Sequence, residues 1–586
     1  VDPMFVDTAN GNYHLLASSQ LINAGHPDST DSDGTIADIG AYPYLNSYSG
    51  PTWYISTSGN NTTATGASGD PFRSIQAGIN FSSDDDSVTV AAGTYVENIN
   101  FRGRNIKVVG EDRETTIIDG NQNGSCVYFD GGDNQPLLQN FTIQNGSGEY
   151  SVHTEPQPGD SKTGGGIYIV DSSPRLNNLY IFNNSVGYFG GGVAVHENND
   201  IQDIVFIRDV IFNNNSAGDG GGLSVWGEDV KVVVENCLFK NNSSPGGGAI
   251  WSKGMDVKNF INQCTFIGNT GSGSVFKADH GDSTWFINSI FYDNDGTEIF
   301  IERTDETTPE IYVGIQYSLT DFEFDSMYVG VASSLENLAG NIYVDPMFVD
   351  TANGNYHLLA SSQLINAGHP DSTDSDGTRA DIGAYPYLNS YSGPTWYITE
   401  SGNDSTATGA SGDPFRSIQA GINFSSDADS VTVAAGTYVE NINFRGRNIK
   451  VVGQDRETTI IDGGQNGPVV VCSINETGLH FTPVLKSITL TNGVGENVEN
   501  NIVGGGVFAR NSNPQLENVL ITGCSAWAGS AIYSNNGSVG DTTTIKNCVF
   551  SGNTAGGNDG TVHFSGSHLK LVNTLISDNS GGGLRM

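Results

Sequence analysis

Val210-Ile211-Phe212-Asn213-Asn214-Asn215, Cys237-Leu238-Phe239-Lys240-Asn241-Asn242, Cys264-Thr265-Phe266-Ile267-Gly268-Asn269 and Ser289-Ile290-Phe291-Tyr292-Asp293-Asn294 are four settings of one phrase. Cys548-Val549-Phe550-Ser551-Gly552-Asn553 and Thr574-Leu575-Ile576-Ser577-Asp578-Asn579 repeat it later in the chain. The aligned positions 181, 212, 239, 266 and 291 lie 25–31 residues apart. A second signal follows about five residues after most of the Asn positions: Gly190-Gly191-Gly192-Val193, Gly220-Gly221-Gly222-Leu223, Gly247-Gly248-Ala249-Ile250 and Gly504-Gly505-Gly506-Val507. Each period holds three short runs of alternating apolar residues, the pattern of half-buried strands. One period cannot bury its own inner face, so periods must stack. The expected fold is all-β: a right-handed parallel β-helix, or solenoid, with coils about 4.8 Å apart. Phe212, Phe239, Phe266 and Phe291 are expected to stack inward. Asn215, Asn242, Asn269 and Asn294 are expected to stack at a turn, amide to amide. Cys237 and Cys264 share one ladder. Either they form a disulfide between coils or they are reduced, buried thiols, and the packing habit of free Cys favours the thiols.

A longer repeat encloses the short one. Residues 1–124 recur at 344–467 with a constant offset of 343 and eight differences, leaving 116 of 124 identical. The differences are Ile36/Arg379, Ser56/Thr399, Thr57/Glu400, Asn61/Asp404, Thr62/Ser405, Asp85/Ala428, Glu111/Gln454 and Asn121/Gly464. A near-perfect second copy is the mark of a modular array. The chain is read as 1–50, a segment closing a preceding module; 51–343, a first β-helix; 344–393, a second closing segment; and 394–586, a second, truncated β-helix. Only Ser47-Tyr48-Ser49-Gly50-Pro51 links a closing segment to the next helix, so the modules are expected to run on as a semi-rigid rod. Each β-helix should open with a capping helix at 71–79 or 414–422. Asp70 reads as its N-cap and Pro71 as its first residue. Phe72, Ile75 and Ile79 would share the face that covers the open solenoid end.

Composition narrows the partners. Gly is 76 of 586 residues, about twice its usual share. Only 15% of residues are charged, against roughly 25% in ordinary domains. The net charge of -40 excludes nucleic acid, which needs a basic stripe, and favours divalent cations. The six cysteines form no CxxC pair, so a thiolate zinc site is not expected. No run of 18 apolar residues suggests a membrane-spanning helix. The strongest metal signal is Asp28-Ser29-Thr30-Asp31-Ser32-Asp33-Gly34, with Asp38 downstream. It recurs as Asp371, Asp374, Asp376 and Asp381. Alternating carboxylates around a Gly turn suit calcium, although the spacing departs from the EF-hand loop. Solvated Asp/Ser turns without metal are the alternative. Trp226 and Trp251 follow the Gly signals of neighbouring coils and could stack sugars, with packing the plainer role.

Trp53-Tyr54-Ile55, Pro71-Phe72-Arg73-Ser74-Ile75-Gln76, Val88-Thr89-Val90-Ala91-Ala92-Gly93-Thr94-Tyr95 and Ile117-Ile118-Asp119-Gly120 resemble the opening coils of pectin-lyase-like β-helix domains. The FxxN and GG[AG][ILV] signals are similar to repeats of polymorphic outer-membrane proteins and related bacterial adhesins. Asp2-Pro3-Met4-Phe5, Gly11-Asn12-Tyr13-His14-Leu15 and Asp38-Ile39-Gly40-Ala41-Tyr42 resemble choice-of-anchor Q segments of bacterial surface proteins. The resemblance implies a secreted, extracellular location at the cell surface. It also raises polysaccharide lyases and hydrolases, which share the fold. The hydrolase signals, roughly NTD, DD, GHG and RIK, do not occur in order. Arg102 and Arg104, repeated as Arg445 and Arg447, read as structural, and no basic residue reads as central to a coil ladder. The expected function is therefore non-enzymatic: an adhesin, stalk or filament subunit. Its expected partners are glycans and further repeats, or copies of itself associated head to tail. A polysaccharide-active enzyme or a glycan-binding module is the alternative. The enzyme reading requires a charged cluster on one coil face, and the rod reading expects smooth Asn, Ser and Thr ladders.

Overall fold

The computed structural model describes residues 2–131, 135–150, 162–197, 204–302, 310–331, 333–473, 481–498, 501–535, 542–556, 560–566 and 568–586. It is a parallel β-solenoid with two short α-helices among the described residues. The chain divides into two compact units. One comprises 1–344 with 382–384, and the other 345–381 with 385–586. In the first unit the third sheet has nine parallel strands. The first two sheets are joined there by long strands, Leu137–Gln144 and Arg175–Phe182, that run from one sheet into the next. The second unit has separate parallel sheets of seven, six and six strands.

The ladders form as the periodicity implies. The rings of Phe212 and Phe239 stack at 4.4 Å, Phe239 and Phe266 at 5.0 Å, and Phe266 and Phe291 at 5.5 Å. All four are fully buried. The Asn ladder starts one coil earlier than expected, at Asn184. Each Asn donates through Nδ2 to the Oδ1 of the next, at 3.0–3.1 Å, through Asn215, Asn242 and Asn269 to Asn294. The same Oδ1 atoms accept backbone N–H groups, so each turn is satisfied by the coil above it. Cys237 and Cys264 are buried free thiols.

The helices α1 (Ile75–Phe81) and α2 (Ile418–Phe424) start four residues later than the sequence suggests. Phe72 is the reason. It inserts fully buried into the core and donates its N–H to the Tyr54 carbonyl, so residues 71–74 stay outside the helix. Asp70 is not the N-cap. It takes the Thr65 N–H at 2.8 Å and ties off the preceding loop, as Asp413 does for Thr408. The N-cap is Ser74, and the Glu97 carboxylate receives the N–H groups of Ile75 and Gln76 at 2.8 and 3.1 Å. All seven residues of α1 are buried, on both faces. One face packs on the solenoid, where a Cβ at Gly78 would lie 2.7 Å from Val88. The other is covered by residues from the segment 2–49. Asn80 Nδ2 donates to the carbonyls of Ala17 and Ser19, and Leu15, Ala17 and Ile22 join the core that holds Trp53 and Phe72. The segment read as closing a preceding module thus packs on the solenoid that follows it. In the second unit Asn423 binds Ala360 and Ser362 in the same way.

Candidate functional site

The aspartates of the Gly turn are staples of the backbone. Asp31 accepts the Asp38 N–H at 2.8 Å. Asp33 accepts the N–H groups of Thr35 and Asn46, at 3.1 and 2.8 Å. Asp38 holds those of Asn23 and Tyr44, both at 2.7 Å. Asp28 stands exposed, 3.8 Å from the His26 ring. Burial pushes the Asp38 carboxyl upward, and the charges of Asp31 and Asp33 add to it. Asp374, Asp376 and Asp381 repeat these bonds, and Asp371 lies exposed beside His369. Asp381 is almost completely buried and its carboxyl is pushed up to about 8, first by burial and then by Asp374. Among the described residues, no group of three or more His, Cys, Asp or Glu side chains converges in a metal-binding arrangement.

Arg102 and Arg104 are part-buried cations that pin the cap. Arg102 donates to the Ile22 carbonyl at 2.8 Å and Arg104 to that of Ile79. Arg445 and Arg447 make the equivalent bonds to Ile365 and Ile422. Trp251 is buried beneath Phe189, with the rings stacked at 4.5 Å, and its indole N–H donates to Asp279 at 2.9 Å. Trp226 stacks on His196 at 4.1 Å. Trp251 therefore packs within the protein, while Trp226 stays partly exposed.

The outer faces are not smooth. On the first sheet of the first unit, alternate residues point inward, such as Val205 and Ile207, and their neighbours point outward. The outward ladder runs Lys107, Leu137, Arg175, Phe206, Val233, Phe260, Trp285, with Arg208 and Glu235 beside it. A cleft of about 650 Å³ opens over Lys107, Arg175, Phe206 and Arg208, with the acids Asp85 and Glu235 also in its lining. The Arg175 guanidinium lies 5.7 Å over the Phe206 ring and donates to Gln135 Oε1 at 2.6 Å. Arg208 stands 3.8 Å from Asp209 and 3.9 Å from Glu235. Phe260 and Trp285 continue the strip, stacked at 4.9 Å. Basic residues are thus central to a coil ladder, contrary to the reading of the sequence. The signal was available: Arg175-Leu176-Asn177 and Phe206-Ile207-Arg208 each flank a buried aliphatic residue with outward polar or aromatic ones.

A second charged cluster lies on the third sheet of that unit. Lys277 Nζ sits 2.7 Å from Glu302 and 3.8 Å from Asp279. Burial raises the Asp219 carboxyl to about 6 although Lys277 opposes it. Glu302 is held below its usual range by its bond to Lys277.

Residues 209–225 and 236–253 match the Chlamydia polymorphic membrane protein repeat. No curated protein sequence matches the chain. Among solved structures, a pectin methylesterase in complex with a hexasaccharide is 12% identical over 50% of this chain and 92% of its own, with a TM-score of 0.27. Pectin methylesterase from Yersinia enterocolitica is 13% identical over 47% of this chain and 94% of its own, at 0.25. The alginate lyase AlyGC, of the PL6 family, is 12% identical over 85% and 88%, at 0.23.

Proposed function

We propose that the chain is a non-enzymatic, extracellular protein of the cell surface, an adhesin, stalk or filament subunit, whose solenoid sides contact glycans. The observation that carries this is the cationic and aromatic cleft of the first sheet, set in a protein of net charge -40. Arg175 and Arg208 present fixed guanidinium donors that pair with carboxylate or sulfate and do not deprotonate in proteins, so they suit binding over proton transfer. Aromatic edges and faces beside them suit the apolar faces of sugar rings. The polymorphic membrane protein repeat supports the surface location. Calcium at Asp28, Asp31, Asp33 and Asp38, and at Asp371, Asp374, Asp376 and Asp381, is carried as part of this proposal. So is head-to-tail filament formation; electron microscopy showing only dispersed single chains at high concentration would sink it.

The Asp219, Lys277, Asp279 and Glu302 cluster favours a polysaccharide-active enzyme, since a carboxyl raised towards neutrality can exchange protons. One experiment separates the two readings. The chain is titrated with a uronic acid hexasaccharide by calorimetry and then incubated with the parent polymer. Binding that weakens at least tenfold in R175A/R208A, roughly 1.4 kcal/mol, with no release of reducing ends or unsaturated products, is expected. Product formation that disappears in D219N would overturn the non-enzymatic reading.

A further inference from the structure

The third sheet of the second unit carries a different groove. A cleft of about 780 Å³ opens over two outward ladders. One is aromatic: Phe508, Tyr533 and His563 occupy successive coils, with ring centroids at 6.0 and 4.9 Å. The other is polar: Ser473, Arg510 and Asn535 face outward one residue pair along. Trp527 stands at the wall, half exposed, and its backbone N–H donates at 2.7 Å to the carbonyl of Ile502, on the antiparallel strand pair Glu496–Val498 and Asn501–Val503. Those two strands form the side of the cleft.

Charge distinguishes this groove from the cationic one. Among the described lining residues there is one acid, Glu496, and one guanidinium, Arg510. Burial lowers the affinity of His563 for a proton, so the imidazole is neutral. Its Nδ1 is buried at the floor without a hydrogen-bond partner among the described residues. The charges of the described lining residues therefore balance. Asn443, Asn497 and Asn535 add amides, each of which both donates and accepts. A surface of aromatic carbon beside amides matches a molecule with apolar faces and hydroxyl edges. Its volume lies in the range of ligand clefts.

We propose that this cleft binds an uncharged oligosaccharide chain, with a sugar ring against Trp527 and Tyr533 and its hydroxyls on Arg510, Asn535 and Asn443. The inference rests on the reading that the solenoid sides contact glycans, and it assigns the second unit a ligand class that the cationic cleft of the first does not favour.

The test uses the full chain and two sets of probes by calorimetry: neutral hexasaccharides of glucose, mannose, galactose and N-acetylglucosamine, and the uronic acid hexasaccharide. At least one neutral hexasaccharide should bind. Its affinity should fall at least tenfold in W527A and in N535A, while uronate binding stays within twofold. R175A/R208A should show the reverse pattern. Both single variants alter exposed or edge positions, and unchanged thermal melting would confirm that they fold. Absence of binding by every neutral probe overturns this proposal, as does neutral binding indifferent to W527A and N535A. If uronate binding then survives and depends on Arg175 and Arg208, the broader glycan reading stands alone.

Discussion

Single side chains decide the cap, and the near-identical copies show how. Asn61 accepts the N–H groups of Arg73 and Ser74 and also donates to Ser74 Oγ, at 2.8 Å. Asp404 replaces it and has no amide to donate. Ser417 Oγ is then available to accept the Ala420 N–H, at 3.3 Å, as a true N-cap. Glu97 and Glu440 close both helix ends by accepting two N–H groups each. E97A should lower the stability of the first unit by roughly 2 kcal/mol or more, since it orphans two donors at a buried helix start and each costs about 1–3 kcal/mol. Denaturant melts of wild type and variant check this, and equal midpoints would show that water replaces the carboxylate. Asp381 predicts a pH effect of fixed sign. Its folded pKa, about 8, is above that of the unfolded chain, so the folded state keeps a proton that the unfolded state loses. Stability from this group is complete below pH about 4 and is lost as pH rises towards 8. D381N cannot ionise, and its melting temperature should gain on wild type across that window. A calcium ion on the ionised carboxylates would act oppositely, raising the melting temperature at pH 8 and losing that gain to a chelator. Identical melts with and without chelator would mark these loops as backbone staples only.

At the scale of the coil, two ladders do different work. The Phe ladder fills the interior, and F239A should cost about 3–5 kcal/mol through the cavity it leaves between Phe212 and Phe266. The Asn ladder satisfies the turn. Asn242 Nδ2 donates to the Phe212 carbonyl as well as to Asn269, and its Oδ1 accepts from Asn215. N242A leaves these groups unpaired in a buried site, and each unpaired group costs roughly 1–3 kcal/mol. The two substitutions should therefore be comparable in guanidinium unfolding, despite the small volume of an amide. A negligible effect of N242A would mean that a water enters the turn. The alternation within each strand explains the clefts too. Inward positions are held to core packing, so the outward positions are freest to differ between coils, and there Arg175, Phe206 and Arg208 meet in one unit and Tyr533 and Asn535 in the other.

For the whole molecule, acidity governs behaviour in solution. The net charge of -40 and the isoelectric point near 4.2 keep chains apart at neutral pH. Light scattering should therefore show a solubility minimum close to pH 4, and equal solubility from pH 4 to 8 would contradict it. No helix among the described residues is long and apolar enough to cross a membrane. The sequence alone determined the solenoid, its two ladders and the 343-residue repeat, because stacking turns a one-dimensional period directly into neighbours in space. Helix position, cap and clefts needed the tertiary structure. Whether residues 71–74 are helical depends on Phe72 pairing with Tyr54, and no local propensity reports that contact. The spacing of Asp31, Asp33 and Asp38 suggests cation ligands, but it does not report the N–H groups of Asn23, Tyr44 and Asn46 that Asp33 and Asp38 accept, donors brought to them by the fold of the segment. Lys107, Arg175 and Arg208 are far apart in the chain and form one cleft because successive coils place them side by side, a property of register that composition does not carry.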